Sequence, residues 1–170
     1  MNRKRILISV LVLIVLIGAA LGLEFIFRSQ PDQESNAEAL AEQTLEDYLV
    51  YLSEGNYAQA ADLYGGSYDL LQGYNPTVDP SDFAALLEQG CTLNGLRCLQ
   101  PQEITLVETP SDGEYVFSVT FLNENGELLV IGPCCGASET DSPPMSEFPF
   151  TVQEVEPGQF KVLSLPPYTP

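Results

Sequence analysis

The chain contains no histidine and no tryptophan, and only 6 Lys+Arg stand against 24 Asp+Glu. The lack of imidazole removes histidine general bases, Ser-His-Asp and Cys-His pairs, and every zinc site that needs a histidine ligand. The scarcity of basic residues gives a net charge of −18. That excludes a nucleic-acid binder of the usual kind, which needs a cationic face to displace counterions from phosphates. The four cysteines, Cys91, Cys98, Cys134 and Cys135, fall at spacings of C-x₆-C and C-C, which do not match zinc sites. No D-x-[DN]-x-[DN]-G loop occurs, so specific calcium binding, the sharper alternative for so acidic a chain, lacks its motif.

The 170 residues are enough for one domain with an appendage, and a 45% hydrophobic content is that of a globular chain. Charge is unevenly spread. Residues 1–28 carry Arg3, Lys4, Arg5 and Arg28 against Glu24, a net +3, whereas residues 29–170 carry Arg97 and Lys161 against 23 carboxylates, a net −21. Two cations do not neutralise 23 anions, so most carboxylates must lie in water, on a surface that keeps the domain soluble and repelled from anionic lipid.

Ile6 to Leu23 is an uncharged run of 18 residues in which only Ser9, Gly18 and Gly22 are not aliphatic. As a helix it would span roughly 27 Å, close to the hydrocarbon thickness of a bilayer. The basic stub before it and the acidic chain after it predict a cytoplasmic N-terminus and an extracytoplasmic remainder. A cleaved signal peptide is the competing reading, since Gly18, Ala20 and Gly22 are small enough for a peptidase site. The run exceeds the usual h-region of about 7–15 residues, however, so the expectation is an uncleaved single-pass anchor in a cell membrane. The resulting division is a stub and anchor over 1–28 with its span at 6–23, a polar linker over 29–34, and an exported domain over 35–170.

All four cysteines lie in the exported part, where disulfides persist. A Cys134–Cys135 bridge would staple nothing, so the favoured connectivity pairs each of Cys91 and Cys98 with one of those neighbours. Each bridge would close a loop of about 40 residues, worth roughly 4 kcal/mol alone in the chain-entropy model.

Ser35 with Glu38 reads as a capping box. Ala37, Leu40, Ala41, Leu45, Tyr48, Leu49 and Leu52 then form one helical stripe, ended by Gly55-Asn56. Tyr57 to Tyr64 reads as a short second helix. Ser67 to Val78 has apolar residues to bury, but Gly73 and Pro76 argue against a regular element. Asp79-Pro80 predicts the cap of a third helix carrying Phe83, Leu86 and Leu87 and stopped by Gly90. The period then changes to two. Strands are expected over 103–108, 115–121, 128–131, 148–152 and 160–164, with hairpin turns at Asn125-Gly126 and Pro157-Gly158. Helices followed by a meander imply an α+β domain. In it three helices pack on a curved, four- to five-stranded antiparallel sheet.

The stretch from Tyr48 to Ala60, YLVYLSEGNYAQA, resembles the opening of the nuclear transport factor two-like superfamily, which includes SnoaL-like and ketosteroid-isomerase-like domains. Gly158-Gln159-Phe160-Lys161-Val162 resembles that family's last hairpin, with Phe160 where tryptophan is common. The resemblance covers about residues 36–165 and rests on packing and turn residues. It implies a cone-shaped α+β barrel with an internal pocket, and no particular activity, because the fold hosts enzymes, binding modules and assembly domains.

No residue constellation marks catalysis, a cofactor or a metal. Tyr48 and Tyr115 are the tyrosines expected to point inward, as core filling first and as hydrogen-bond donors second. Asp62, Asp69 and Glu108 are single carboxylates expected at the surface. Arg97 is expected to pair with a neighbouring carboxylate, and Lys161 to sit on a strand edge or solvent face. The leading expectation is a non-catalytic domain that binds a protein partner or a small apolar ligand, tethered to the bilayer by its N-terminal helix. The alternative is an isomerase-, dehydratase- or hydrolase-like enzyme, which requires a buried carboxylate beside a tyrosine hydroxyl.

Overall fold

The structure is a computed structural model that describes residues 30–133, 140 and 143–169. The chain separates into two units, 1–37 and 38–170. In the first, the described residues, 30–37, are helical. The expected membrane span over 6–23 and the cysteines Cys134 and Cys135 lie outside the described residues. Among the described residues no helix is long and apolar enough to cross a membrane.

Among the described residues four helices precede four strands. Helix α1 (Gln30–Glu54) begins five residues ahead of the Ser35–Glu38 box, so Ser35 is not its cap. Ala41, Leu45, Tyr48, Leu49 and Leu52 form its buried stripe, each at most 2% exposed. Leu40, expected in that stripe, sits at its margin and is 40% exposed. The helix ends as read, at Gly55 with φ +78°. Gly55 N–H donates to the Leu52 carbonyl and Asn56 N–H to the Tyr51 carbonyl, the paired bonds of a Schellman motif.

Helix α2 is Tyr57–Leu63. A further short helix, α3 (Asp69–Tyr74), was not expected between Gly65-Gly66 and Pro76. Ser67 Oγ accepts from Asp69 N–H at its start, and burial of Leu71 to 1% exposure outweighs the poor propensity of Gly73. Helix α4 (Phe83–Thr92) is capped by Asp82, whose side chain accepts from Ala85 N–H at 3.0 Å, rather than by Asp79. Asp79 instead closes a turn, accepting from Ser81 N–H and Oγ, and these bonds hold its carboxyl below the usual range. Gly90 does not stop α4 either. A Cβ there would fall 2.8 Å from Leu96 Cδ1 and 3.0 Å from Leu71 Cδ2, so glycine at this position lets the 96 loop and α3 close onto α4.

Strands β1 (Pro101–Ser111), β2 (Glu114–Phe121), β3 (Phe148–Glu156) and β4 (Gln159–Val162) form one antiparallel sheet in the order β1-β2-β3-β4. The inward row is Tyr115, Phe117, Val119 and Phe121 on β2, Phe148, Phe150 and Val152 on β3, and Phe160 and Val162 on β4, all at most 7% exposed. Phe117 pairs directly with Phe150, and Phe121 packs edge-on to Phe150 at 6.2 Å. The expected strand over 128–131 does not join the sheet. Its turn forms, with Gly126 at φ +77° and Asn123 Oδ1 accepting from Asn125 and Glu127 N–H. Beyond it, among the described residues, the segment makes isolated bridges, Leu122 to Leu128 and Ile131 to Met145. The reason is topological: β1 and β3 already pair with the two edges of β2. The helices meet the sheet at its far edge, where Tyr64 bridges to Val162 and Gly65 N–H donates to the Val162 carbonyl.

Candidate functional site

The inward-pointing tyrosines resolve into two groups. Tyr48 is fully buried and stacks on Tyr64 at 5.9 Å. Tyr64 meets Tyr68 edge-on at 4.9 Å, and Tyr68 stacks on Phe83 at 4.3 Å. This ladder ties α1, the α2–α3 connection and α4 together. Tyr64 Oη donates to the Ser67 carbonyl at 3.0 Å. Among the described residues the buried hydroxyls of Tyr48 and Tyr68 have no hydrogen-bond partner. Loss of hydration keeps all three phenols protonated. Tyr64 is pushed up to about 12 by burial. Tyr48 rises well above the ordinary value through burial, then through its neighbours Tyr64 and Tyr68. Tyr68 rises through burial, then through Tyr64 and Asp62. Tyr115, on β2, packs against Phe160 at 5.9 Å and belongs to the sheet's aromatic row, apart from this ladder.

No buried carboxylate joins these phenols among the described residues; Asp62, whose charge reaches Tyr68, is at the surface. Asp62, Asp69 and Glu108 are exposed, and among the described residues the buried polar side chain is Asn75. Lys161 is half-buried and its Nζ donates to the Asp62 main-chain carbonyl. Lys161 thus lies on an edge strand, as expected, and the contact closes β4 onto the end of α2. Arg97 departs from its expected role as well: no ion pair engages it among the described residues, and its Nε is buried without an acceptor. Its chain neighbours are Leu96, Cys98 and Leu99, and the nearest acids in sequence are Glu88 and Glu103. Among the described residues no group of three or more His, Cys, Asp or Glu is placed to hold a metal ion.

The cysteines give the main correction. Cys91 is bonded to Cys98, with Cα atoms 5.5 Å apart. The expected long-range pairing of both with Cys134 and Cys135 therefore gives way to a short local ring. The local fold explains this. Cys91 lies in the last turn of α4, the chain reverses through Gly95 at φ +85°, and Leu96 folds back over Gly90. That reversal returns Cys98 to the helix end.

The same loop forms one wall of a surface cleft of about 280 Å³, lined by Tyr74, Leu93, Asn94, Gly95, Tyr168 and Thr169. The C-terminal tail forms the other wall. Thr169 N–H donates to the Gly95 carbonyl at 2.9 Å, and Arg97 N–H donates to the Pro167 carbonyl at 2.7 Å. A Cβ at Gly95 would fall 2.3 Å from the Thr169 carbonyl oxygen, so the tail approaches as closely as a glycine allows. Beneath the floor, Asn75 Nδ2 donates to Asn94 Oδ1 at 2.7 Å and to the Leu71 carbonyl at 2.8 Å. At the rim Tyr74, Leu93 and Tyr168 are 54%, 73% and 44% exposed. The sequence marked none of these residues as functional, and Tyr74, which with Tyr68, Leu70 and Leu71 was expected to be buried, is exposed here, as is Leu70. The available signal was the Pro-Pro-Tyr tail, which reads as extended chain but does not say where it docks. A smaller cleft of about 130 Å³ lies between α1 and the start of β1, where Glu42, Glu46 and Glu103 meet Pro101, Gln102 and Ile104.

Comparison with protein families, curated proteins and solved structures finds no match to this chain.

Proposed function

We propose that this chain is a membrane-anchored, extracytoplasmic interaction domain that engages a protein partner through the cleft between the Cys91–Cys98 loop and the C-terminal tail. The observation that carries the reading is the cleft itself, with exposed Leu93 on a braced loop, exposed Tyr168 on a hydrogen-bonded tail and exposed Tyr74 at the end of α3. Exposed aromatic side chains on a fixed frame are the usual anchors of protein interfaces. The volume of about 280 Å³ falls just below the range of roughly 300–1,000 Å³ typical for small-molecule sites, and suits one inserted side chain of a partner. The disulfide supports an oxidising compartment, and the apolar run at 6–23 supports the tether. The cone fold of the nuclear transport factor two-like superfamily is the architecture we infer for this domain, on the helix hairpin, the aromatic sheet face and the closing β3–β4 hairpin. A carboxylate–tyrosine enzyme lacks support, because the phenols at Tyr48 and Tyr68 have no buried acid beside them among the described residues.

The test is photo-crosslinking on intact cells that express the full chain with a photoreactive amino acid at Tyr74, at Tyr168, or at the exposed control Val155. The reading expects one discrete adduct from the first two positions, absent at Val155 and lost when Leu93 is replaced by Asp. Equal labelling at all three positions, or none, would count against it.

A further inference from the structure

We propose, resting on the contact site assigned above, that the group the partner inserts is an uncharged amide, the carboxamide of a glutamine or asparagine side chain, and that Asn94 is the residue that selects it. The Leu71 carbonyl in α3 accepts from Asn75 N–H at 3.0 Å and from Asn75 Nδ2 at 2.8 Å. A carbonyl only accepts, so the Asn75 carboxamide must face it with nitrogen. The second N–H of that nitrogen goes to Asn94 at 2.7 Å, where it can meet only the oxygen. Asn75 is 8% exposed, so the pair is held inside the fold rather than loose in water. One main-chain carbonyl therefore orients two side chains in turn. Asn94, half-buried on the cleft wall, is left with its Nδ2 turned away from Asn75. Among the described residues that nitrogen has no protein acceptor, and it is not sealed from solvent.

Other polar groups on the same walls are also unpaired. Gly95 N–H lacks an acceptor among the described residues, and the Thr169 carbonyl, which closes against Gly95, accepts no hydrogen bond from them. A primary carboxamide matches both kinds of group, because its oxygen accepts and its nitrogen donates twice. A carboxylate matches the donors only and meets the Thr169 carbonyl with like polarity. It also enters without a counter-charge: the lining residues are all uncharged at neutral pH, and residues 29–170 carry a net −21. An aliphatic side chain of the same length leaves the donors and the acceptor desolvated and unpaired. The exposed rings and Leu93 at the rim supply the apolar surface for the methylene stem of a glutamine.

The experiment follows the full, isotope-labelled chain in detergent micelles by NMR during titration with N-acetyl-glutamine N-methylamide and, separately, with the corresponding blocked glutamate. The two probes share their main-chain amides and differ only in the terminal group. The glutamine probe is expected to shift the Asn94 side-chain amide and the Gly95 N–H saturably, with β2 and β3 amides unmoved, and the glutamate probe to bind at least about tenfold more weakly. Asn94→Asp keeps the size and the oxygen that Asn75 holds, but turns an oxygen into the cleft in place of the nitrogen. It should weaken the glutamine probe by about tenfold or more, read at Gly95, while the β2 and β3 signals report an unchanged fold. Equal binding of the two probes, no shift at Asn94, or undiminished binding to the folded Asn94→Asp variant would overturn the proposal. Should that variant fail to fold, the comparison of the two probes on the unaltered chain decides alone. Saturable glutamine binding without crosslinks on cells would strike the contact-site reading and leave the amide selectivity; crosslinks at Tyr74 and Tyr168 with no glutamine response would do the reverse.

Discussion

Replacing Tyr48 by Phe tests the interior most sharply, because the structure predicts a gain in stability from removing a polar atom. Tyr48 is fully buried, its ring stacks on Tyr64, and its hydroxyl has no hydrogen-bond partner. An unsatisfied buried hydroxyl costs about 1–3 kcal/mol relative to hydration. Phenylalanine keeps the ring and its packing and drops that cost. The substitution should therefore raise unfolding stability by about 1 kcal/mol, which for a domain of this size is a rise of roughly 3–5 °C in Tm. Tyr64→Phe is the matched control with the opposite sign. It removes the bond from Oη to the Ser67 carbonyl and should cost about 1 kcal/mol. Urea denaturation followed by circular dichroism gives both values. A Tyr48→Phe variant that loses 1 kcal/mol or more would refute the reasoning, since its hydroxyl would then have to be satisfied in solution.

Further expectations concern the same framework. Burial lifts the Tyr64 phenol to about 12, so between roughly pH 10 and 12 the folded state retains a proton that the unfolded chain has released. Stability should therefore be flat up to about pH 9 and fall as pH rises through that window, and denaturation midpoints with phenolate absorbance should show it; a midpoint unchanged to pH 12 would contradict the burial of this cluster. Gly66→Ala places a Cβ 2.3 Å from the Leu163 carbonyl oxygen and 2.4 Å from Tyr64 Oη, at a cost of about 1–3 kcal/mol. Gly126→Ala meets no atom within 4 Å and should cost only about 1 kcal/mol for its positive φ, so thermal melts should rank the two. Replacing Cys91 and Cys98 together by serine opens a ring of sequence separation 7, worth about 2.5 kcal/mol in the chain-entropy model, and a loss above about 4 kcal/mol would favour the longer loops first expected from the sequence.

Elements with strong periodicity were legible in the sequence. The stripe from Ala41 to Leu52, the Gly55 stop and the alternation from Tyr115 to Phe121 each follow from one residue pattern, and burial reproduces them. What was misread depended on competition between segments. Residues 128–131 have the pattern of a strand, but β1 and β3 occupy both edges of β2. Gly90 has the pattern of a helix stop, but it serves as a close-packing position for Leu96 and Leu71. Asp79 and Asp82 are both credible caps, and only the geometry of the intervening turn chooses Asp82. The cleft was not legible at all, because it depends on where a proline-rich tail comes to rest and on which cysteines meet. Counting four cysteines leaves three connectivities, and setting aside a Cys134–Cys135 bridge as stapling nothing favoured the wrong partners for Cys91 and Cys98.

The account turns on the Cys91–Cys98 bond in a chain that reaches an oxidising compartment, and non-reducing peptide mapping of alkylated, membrane-extracted protein tests it most directly. Cleavage after Glu88, Arg97 and Glu103 separates the two cysteines onto peptides 89–97 and 98–103. The account predicts that these two peptides run as one disulfide-linked species that dithiothreitol splits. Recovery of both as alkylated free thiols, or of 89–97 joined to the fragment holding Cys134 and Cys135, would contradict it.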